Sequence, residues 1–311
     1  MGKRIFVYIT FIVALICSVN YMGRLLNPDF TDGALNAVEA FHELPENSMD
    51  VIVYGSSHAW KGVDTLEMYE KFGIRAYNYG CNWQHMNTTS LFISDSLRSQ
   101  TPKIIMIETY KIAELLHDVD MNGEIYYTRN IPMFAEKGEY LKQCFGKEKE
   151  RYLSYFVPLI MFHQNWSTVD AENFFSGTSP ESYIKNRGYS ADDTVVPTVL
   201  YDYSSFEQKK LGNKAKKVLD QIVDQCAENN IKIIFFTVPY KGEYHYAEAV
   251  ESYAKENDCV YIDFFQNMDE VGIDADSDFR DKTHLNDSGA KKVACYLGNY
   301  LIEHFDISEI Q

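Results

Sequence analysis

The sequence predicts an α/β fold, a parallel sheet with helices on both faces. The first observation is a set of five short apolar runs, Val51 to Tyr54, Ala76 to Tyr79, Ile104 to Ile107, Ile231 to Val238 and Val260 to Phe264. They are mostly β-branched or aromatic and too short for typical helices, so they read as buried strands. The second is that helical stretches lie between them, at Val63 to Phe72, Met86 to Leu97, Phe206 to Ala227 and Tyr244 to Lys255. In the third of these, Leu211, Ala215, Val218, Leu219, Ile222 and Cys226 recur at three- and four-residue steps and share one face. The third is the alternation itself, which implies right-handed crossovers and a parallel sheet covered on both sides. A last helix, opened by Asn286 or Asp287 as N-cap, carries Val293, Leu297, Leu301 and Phe305 on a single stripe and closes the sheet.

At 311 residues and 46% hydrophobic, the chain has ample material for a core, which excludes a disordered protein. A formal net charge of −16 excludes a long nucleic-acid groove, because phosphate binding needs clustered Lys and Arg. Residues 1–22 stand apart. Lys3 and Arg4 precede an apolar run from Ile5 to Met22, about the roughly 17–25 residues a bilayer span needs. The segment reads as an uncleaved signal anchor, with the basic end cytoplasmic and the rest extracytoplasmic; a cleaved signal peptide is the rival reading. Six scattered cysteines without a C-x-x-C pair suggest neither a zinc site nor a disulfide framework.

Residues 23–48 are mixed and polar, with Pro28 and Pro45, and read as a lead-in linker before a domain spanning 49–311. Within that domain, residues 111–205 interrupt the strand–helix rhythm and are too long for a plain crossover. They are rich in aromatics, among them Tyr126, Tyr127, Tyr155, Phe174, Phe175 and Tyr203. The expectation is a partly helical insertion packed over the carboxyl edge of the sheet, its aromatics either core or a rim on which sugar rings stack.

Ligands of parallel sheets bind beyond the strand carboxyl ends. There the sequence puts "GSSHA" after the first strand, with Ser56, Ser57 and His58; "NYGCNWQ" after the second, with Gly80, Asn82 and Gln84; and "IETYK" after the third, with Glu108 and Tyr110. "DFRDKTHLNDSGA", before the last helix, adds Asp281 and His284. A serine nucleophile needs an adjacent base, and the base needs a group that fixes its tautomer. Ser57, His284 and Asp281 suit those roles. Ser57 has a second reading as a helix cap, and His284 as an ordinary satisfied histidine. Ser56 reads as a turn residue, and His58 as structural or at the substrate edge. No helix-spaced ligand pair suggests a metal, and no cofactor is expected.

A G-x-S after the first strand, a glycine after the second and D-x-x-H before the final helix together resemble the SGNH/GDSL hydrolase family over roughly residues 50–305, the insertion excepted. The resemblance implies a three-layer flavodoxin-like fold, catalytic Ser57, Asp281 and His284, and oxyanion donors from the Ser57 and Gly80 backbone N–H groups. The family's third block, G-x-N-D, is here Ile107, Glu108, Thr109 and Tyr110, so its asparagine is absent. Asn82 or Gln84 is the replacement donor on the neighbouring loop, with Gln84, Glu108 and Tyr110 as substrate contacts. With the anchor, "GSSHA" and "HLNDSGAKK" narrow the likeness to membrane-anchored members found beside membrane-bound O-acyltransferases, which modify cell-surface polysaccharides with acetyl or D-alanyl groups. The expected activity is that of a serine esterase or O-acyltransferase on acylated glycopolymers. The alternative is a non-catalytic glycan-binding or assembly factor on the same fold.

Overall fold

The computed structural model describes residues 2–26, 33–116, 128–169, 180–201, 205–305 and 307. Five strands, β1 (Val51–Tyr54), β2 (Ala76–Asn78), β3 (Ile104–Glu108), β4 (Lys232–Thr237) and β5 (Val260–Asp263), form one sheet in the order β2-β1-β3-β4-β5. Every pairing is parallel. This is the flavodoxin-like doubly wound order, whose winding reverses between β1 and β3 and leaves a crevice beyond their carboxyl ends.

The helices follow in chain order. α1 (Gly2–Leu25) and α2 (Gly33–His42) precede β1, and α3 (Ser57–Gly62) and α4 (Thr65–Phe72) follow it. α5 (Met86–Ser96) joins β2 to β3. α6 (Ala135–Phe145), α7 (Lys149–Phe156), α8 (Leu159–Phe162) and α9 (Glu181–Lys185) lie in the insertion, and α10 (Asn213–Glu228) leads into β4. α11 (Ala247–Glu256), α12 (Met268–Val271) and α13 (Asp287–His304) complete the chain.

Successive strand side chains point to opposite faces, and both faces are buried. Ile52, Tyr54, Ile105, Ile107 and Phe235 join one core with the α10 stripe of Val218, Leu219, Ile222 and Cys226. Val51, Val53, Ile104, Met106 and Phe236 join the other with Val293, Ala294, Leu297 and Leu301 of α13. The result is three layers, helix, sheet and helix, and near-continuous apolar strands are what such burial requires. All six cysteines are free thiols.

Three elements differ from expectation. Among the described residues, the lead-in at 23–48 contributes to the core: Leu25 and Leu26 are buried, as are Ala37, Val38, Ala40 and Phe41 of α2, and Phe41 stacks on Tyr79 at 4.1 Å. Four apolar residues on one face of a short helix suffice to dock it. Pro28 lies outside the described residues. α10 begins at Asn213 rather than Phe206, because Gly212 has extended backbone and Lys209 N–H donates to His245 O across a neighbouring loop at 2.7 Å. The insertion divides. Leu141, Phe145, Tyr155 and Phe162 of α6–α8 join the first core on one face of the sheet, rather than its carboxyl edge. Residues 186–201 run past β2, where Arg187 O accepts from Asn78 N–H at 2.8 Å, toward that edge. Tyr126, Tyr127, Phe174, Phe175 and Tyr203 lie outside the described residues.

Candidate functional site

The β1 strand ends at Tyr54 against the reversal point, and Gly55 turns it. Gly55 has φ +145°, and a Cβ there would stand 2.6 Å from the Glu108 Cβ of β3 and 3.0 Å from that of Ala59. Only glycine permits this turn beside its neighbouring strand. Ser56 then caps α3, its Oγ accepting from His58 N–H at 3.3 Å. Because Ser56 takes the capping role, the next hydroxyl is released from it. Ser57 Oγ lies 2.8 Å from His284 Nε2.

His284 sits on the turn before α13. Its Nδ1 is 2.8 Å from Asp281 Oδ2 and 3.1 Å from Oδ1. The turn is built around the same carboxylate. Asp281 Oδ1 accepts from the backbone N–H groups of Thr283 at 2.7 Å and His284 at 2.9 Å, and from Thr283 Oγ1 at 2.9 Å. Asn286 closes the segment as the α13 N-cap, accepting from Gly289 N–H at 3.2 Å. Arg280, paired with Asp192 of the insertion, ties the turn to residues 186–201.

The electrostatics suit proton transfer. Burial would raise the Asp281 carboxyl, but the His284 ring and the Thr283 N–H outweigh it and hold the group well below the usual carboxylate range. Burial pushes His284 below its ordinary value; Asp281 opposes this, and the charges of Lys61 and Arg280 reinforce it. The imidazole is therefore neutral at neutral pH, with Nδ1–H donated to Asp281 and the Nε2 lone pair facing a hydroxyl. That arrangement can take a proton from Ser57.

The remaining predicted residues are distributed unevenly. Gly80 reaches the nucleophile turn, where Cys81 N–H donates to Gly55 O at 3.1 Å. The Gly80 N–H itself donates to Asn78 Oδ1 at 3.1 Å. Asn82 is half-buried on the same loop, beside the exposed Trp83. Gln84 is turned inward rather than toward the crevice, donating to Thr89 Oγ1 at 3.2 Å and accepting from Cys81 Sγ at 3.3 Å. Glu108 is likewise buried beneath the Gly55–Ser56 turn, where it accepts from Ser56 Oγ at 3.0 Å and Tyr110 N–H at 2.7 Å. Burial raises its carboxyl to about 7 despite those donors. Tyr110 is half-buried, its ring 4.1 Å from that of His58.

The feature that residue patterns did not disclose is the chain Glu108–Ser56–His58. His58 Nδ1 is 3.2 Å from Ser56 Oγ, and its ring lies 5.0 Å from His284 and 4.9 Å from Tyr240. It is 3% exposed, and Nε2 has no hydrogen-bond partner among the described residues. Burial and the neighbouring His284 push it well below the ordinary histidine value, so it is a neutral ring packed against the base. The signal was present as the histidine of "GSSHA", but only the fold brings its ring to His284. Among the described residues, no group of three or more His, Cys, Asp or Glu side chains is placed to hold a metal ion.

No protein-family model matches the chain, and no curated protein does. Among solved structures, the chain is similar to a proposed acylhydrolase from Bacteroides fragilis, at 11% identity and a TM-score of 0.41, over 86% of this chain and 94% of that one. A likeness of that degree supports no assignment of activity, and the functional reading rests on the geometry around Ser57.

Proposed function

We propose that this chain is a membrane-anchored serine esterase or O-acyltransferase of the SGNH/GDSL hydrolase kind, acting outside the cytoplasm on acyl groups of cell-surface carbohydrate polymers. The observation that carries the reading is the unbroken hydrogen-bonded line Ser57 Oγ, His284 Nε2, His284 Nδ1 and Asp281 Oδ2, with 2.8 Å at both ends. Ser57 Oγ attacks the acyl carbonyl as its proton passes to His284 Nε2, and Asp281 stabilises the imidazolium. His284 returns the proton to the departing alkoxide oxygen as the C–O bond breaks, leaving an acyl-serine. Water or a sugar hydroxyl then attacks that ester, its proton going to His284 and back to Ser57 Oγ.

The oxyanion is assigned to the Ser57 N–H, at the first turn of α3 where backbone donors lack helical acceptors, with Asn82 of the loop after β2 as the second donor. The Gly80 N–H serves only if it exchanges Asn78 Oδ1 for the substrate. That engagement is what favours the second reading, a non-catalytic glycan-binding or assembly factor partnering a membrane-bound O-acyltransferase. α1 is long and apolar enough to be a membrane anchor or a signal sequence.

A serine-reactive fluorophosphonate separates the readings. Labelling that disappears in Ser57→Ala is the expected result; persistent labelling in that variant removes Ser57 as nucleophile, and no labelling of either form favours the binding factor.

A further inference from the structure

An amphipathic surface helix ordinarily keeps its apolar stripe inward and its polar side in water. α7 and α8 depart from this. Tyr155 and Phe162 fill the inward face and join the first core, yet Leu153, Phe156 and Ile160 are 55%, 46% and 43% exposed. Trp166, on the turn that follows, is 73% exposed. Leu153 and Phe156 share one open groove with Tyr152, and exposed apolar surface of this kind marks an interaction site rather than scattered surface residues.

What covers it is indicated by α1. Residues 2–23 form an apolar helix that is exposed from Gly2 to Ser18 and has its first buried residue at Gly23. Its foot is seated on these same segments. A Cβ at Gly23 would meet Leu159 N at 2.8 Å and Pro158 Cβ at 3.0 Å, so the two backbones touch. Asn165 Nδ2 donates to Leu26 O at 3.2 Å, and Leu25 and Leu26 are buried. The foot of the span is thus docked on the domain, at residues next to the exposed Ile160 and Trp166 in sequence. Lys147 and Lys149 line the same open groove as Leu153 and Phe156, while Arg151 between them and the apolar face pairs with Glu148 at 2.9 Å. Apolar face, exposed tryptophan and two lysines at the groove edge together are the composition of an interfacial membrane contact.

From this we infer that α7, α8 and the Trp166 turn form a second membrane contact, resting in the headgroup–acyl boundary of an anionic bilayer beside the foot of α1. This rests on α1 being a membrane span. The contact fixes the domain on the bilayer surface rather than leaving it to swing from a tether.

The full chain in phosphatidylglycerol–phosphatidylethanolamine vesicles tests it, with Trp83→Phe as background so that only buried Trp60 and Trp166 emit. Because an interfacial apolar face sits roughly 5–10 Å into the boundary, lipids brominated near the headgroup should reduce emission about twofold, and Trp166→Phe should abolish that loss. Co-flotation with the vesicles but unquenched Trp166 overturns the contact while leaving the anchor intact, and directs attention to a membrane-protein partner for the face. Failure to co-float overturns both the anchor and the contact.

Discussion

Ser57 Oγ and His284 Nε2 stand 2.8 Å apart across 227 residues of chain. Two local devices bring them together. The Gly55 turn lifts Ser57 out of the sheet at the β1–β3 reversal, and the Asp281-centred turn holds the imidazole rigid before α13. Neighbouring Ser56 takes the helix cap, so the two adjacent serines have distinct duties that substitution can separate.

Ser57→Ala should lower ester turnover on the order of 10⁵–10⁶-fold, with thermal stability unchanged because the cap remains. Ser56→Ala should do the reverse, costing about 1 kcal/mol of stability from the lost cap, with fluorophosphonate labelling of Ser57 retained. Turnover and thermal unfolding on both variants check the division; equal activity losses would contradict it.

Asp281→Asn keeps the shape of the turn but loses the anion that selects the Nδ1–H tautomer of His284. Turnover should fall about 10⁴-fold, with substrate KM little changed. Steady-state kinetics on a soluble acyl ester measures both.

His284 works as a base only when neutral, and its pKa lies below the ordinary value. The acid limb of kcat/KM should therefore have its midpoint below about 6.5. Asp281 remains ionised through that range. A profile flat from pH 7 down to about 4 would remove His284 from the role.

Glu108 gives a stability effect of opposite sign. Its folded pKa, about 7, lies above the ordinary 4.5, so the folded state holds its proton more tightly than the unfolded chain. The corresponding stabilisation is complete below about 4.5 and lost as pH rises to about 7. Glu108→Gln should thus gain stability relative to the parent between pH 5 and pH 8. The histidines are common to both proteins, so the difference in unfolding temperature across that range isolates Glu108.

Gly55→Ala forces a side chain into φ +145° and to 2.6 Å from Glu108 Cβ. Strain of roughly 1–3 kcal/mol is expected, together with displacement of Ser57. Chemical denaturation and the labelling rate of Ser57 should both register it.

Much of this was legible in residue pattern. All five strands were, because a doubly covered parallel sheet demands apolar runs such as "VIVY" and "IIMI", and turn residues bound them. The expectation that Ser57, Asp281 and His284 meet came from a serine after the first strand and D-x-x-H before the last helix, and the fold brings these side chains within hydrogen-bonding distance. The duties of Ser56 and Ser57 were harder to separate, since either hydroxyl is chemically able to cap a helix and backbone dihedrals decide which does. Glu108 and Gln84 looked like cleft residues because loop position predicts proximity but not the direction in which a side chain points. The core role of α2 and the route of the insertion depend on contacts between segments far apart in sequence.

The most direct measurement is peptide mass spectrometry after quenching a reaction with p-nitrophenyl acetate. The proposed mechanism predicts a single acetyl ester on Ser57, accumulating in the wild type and absent from Ser57→Ala. Acetylation confined to any other residue, or hydrolysis of the ester at full rate by Ser57→Ala, would contradict it.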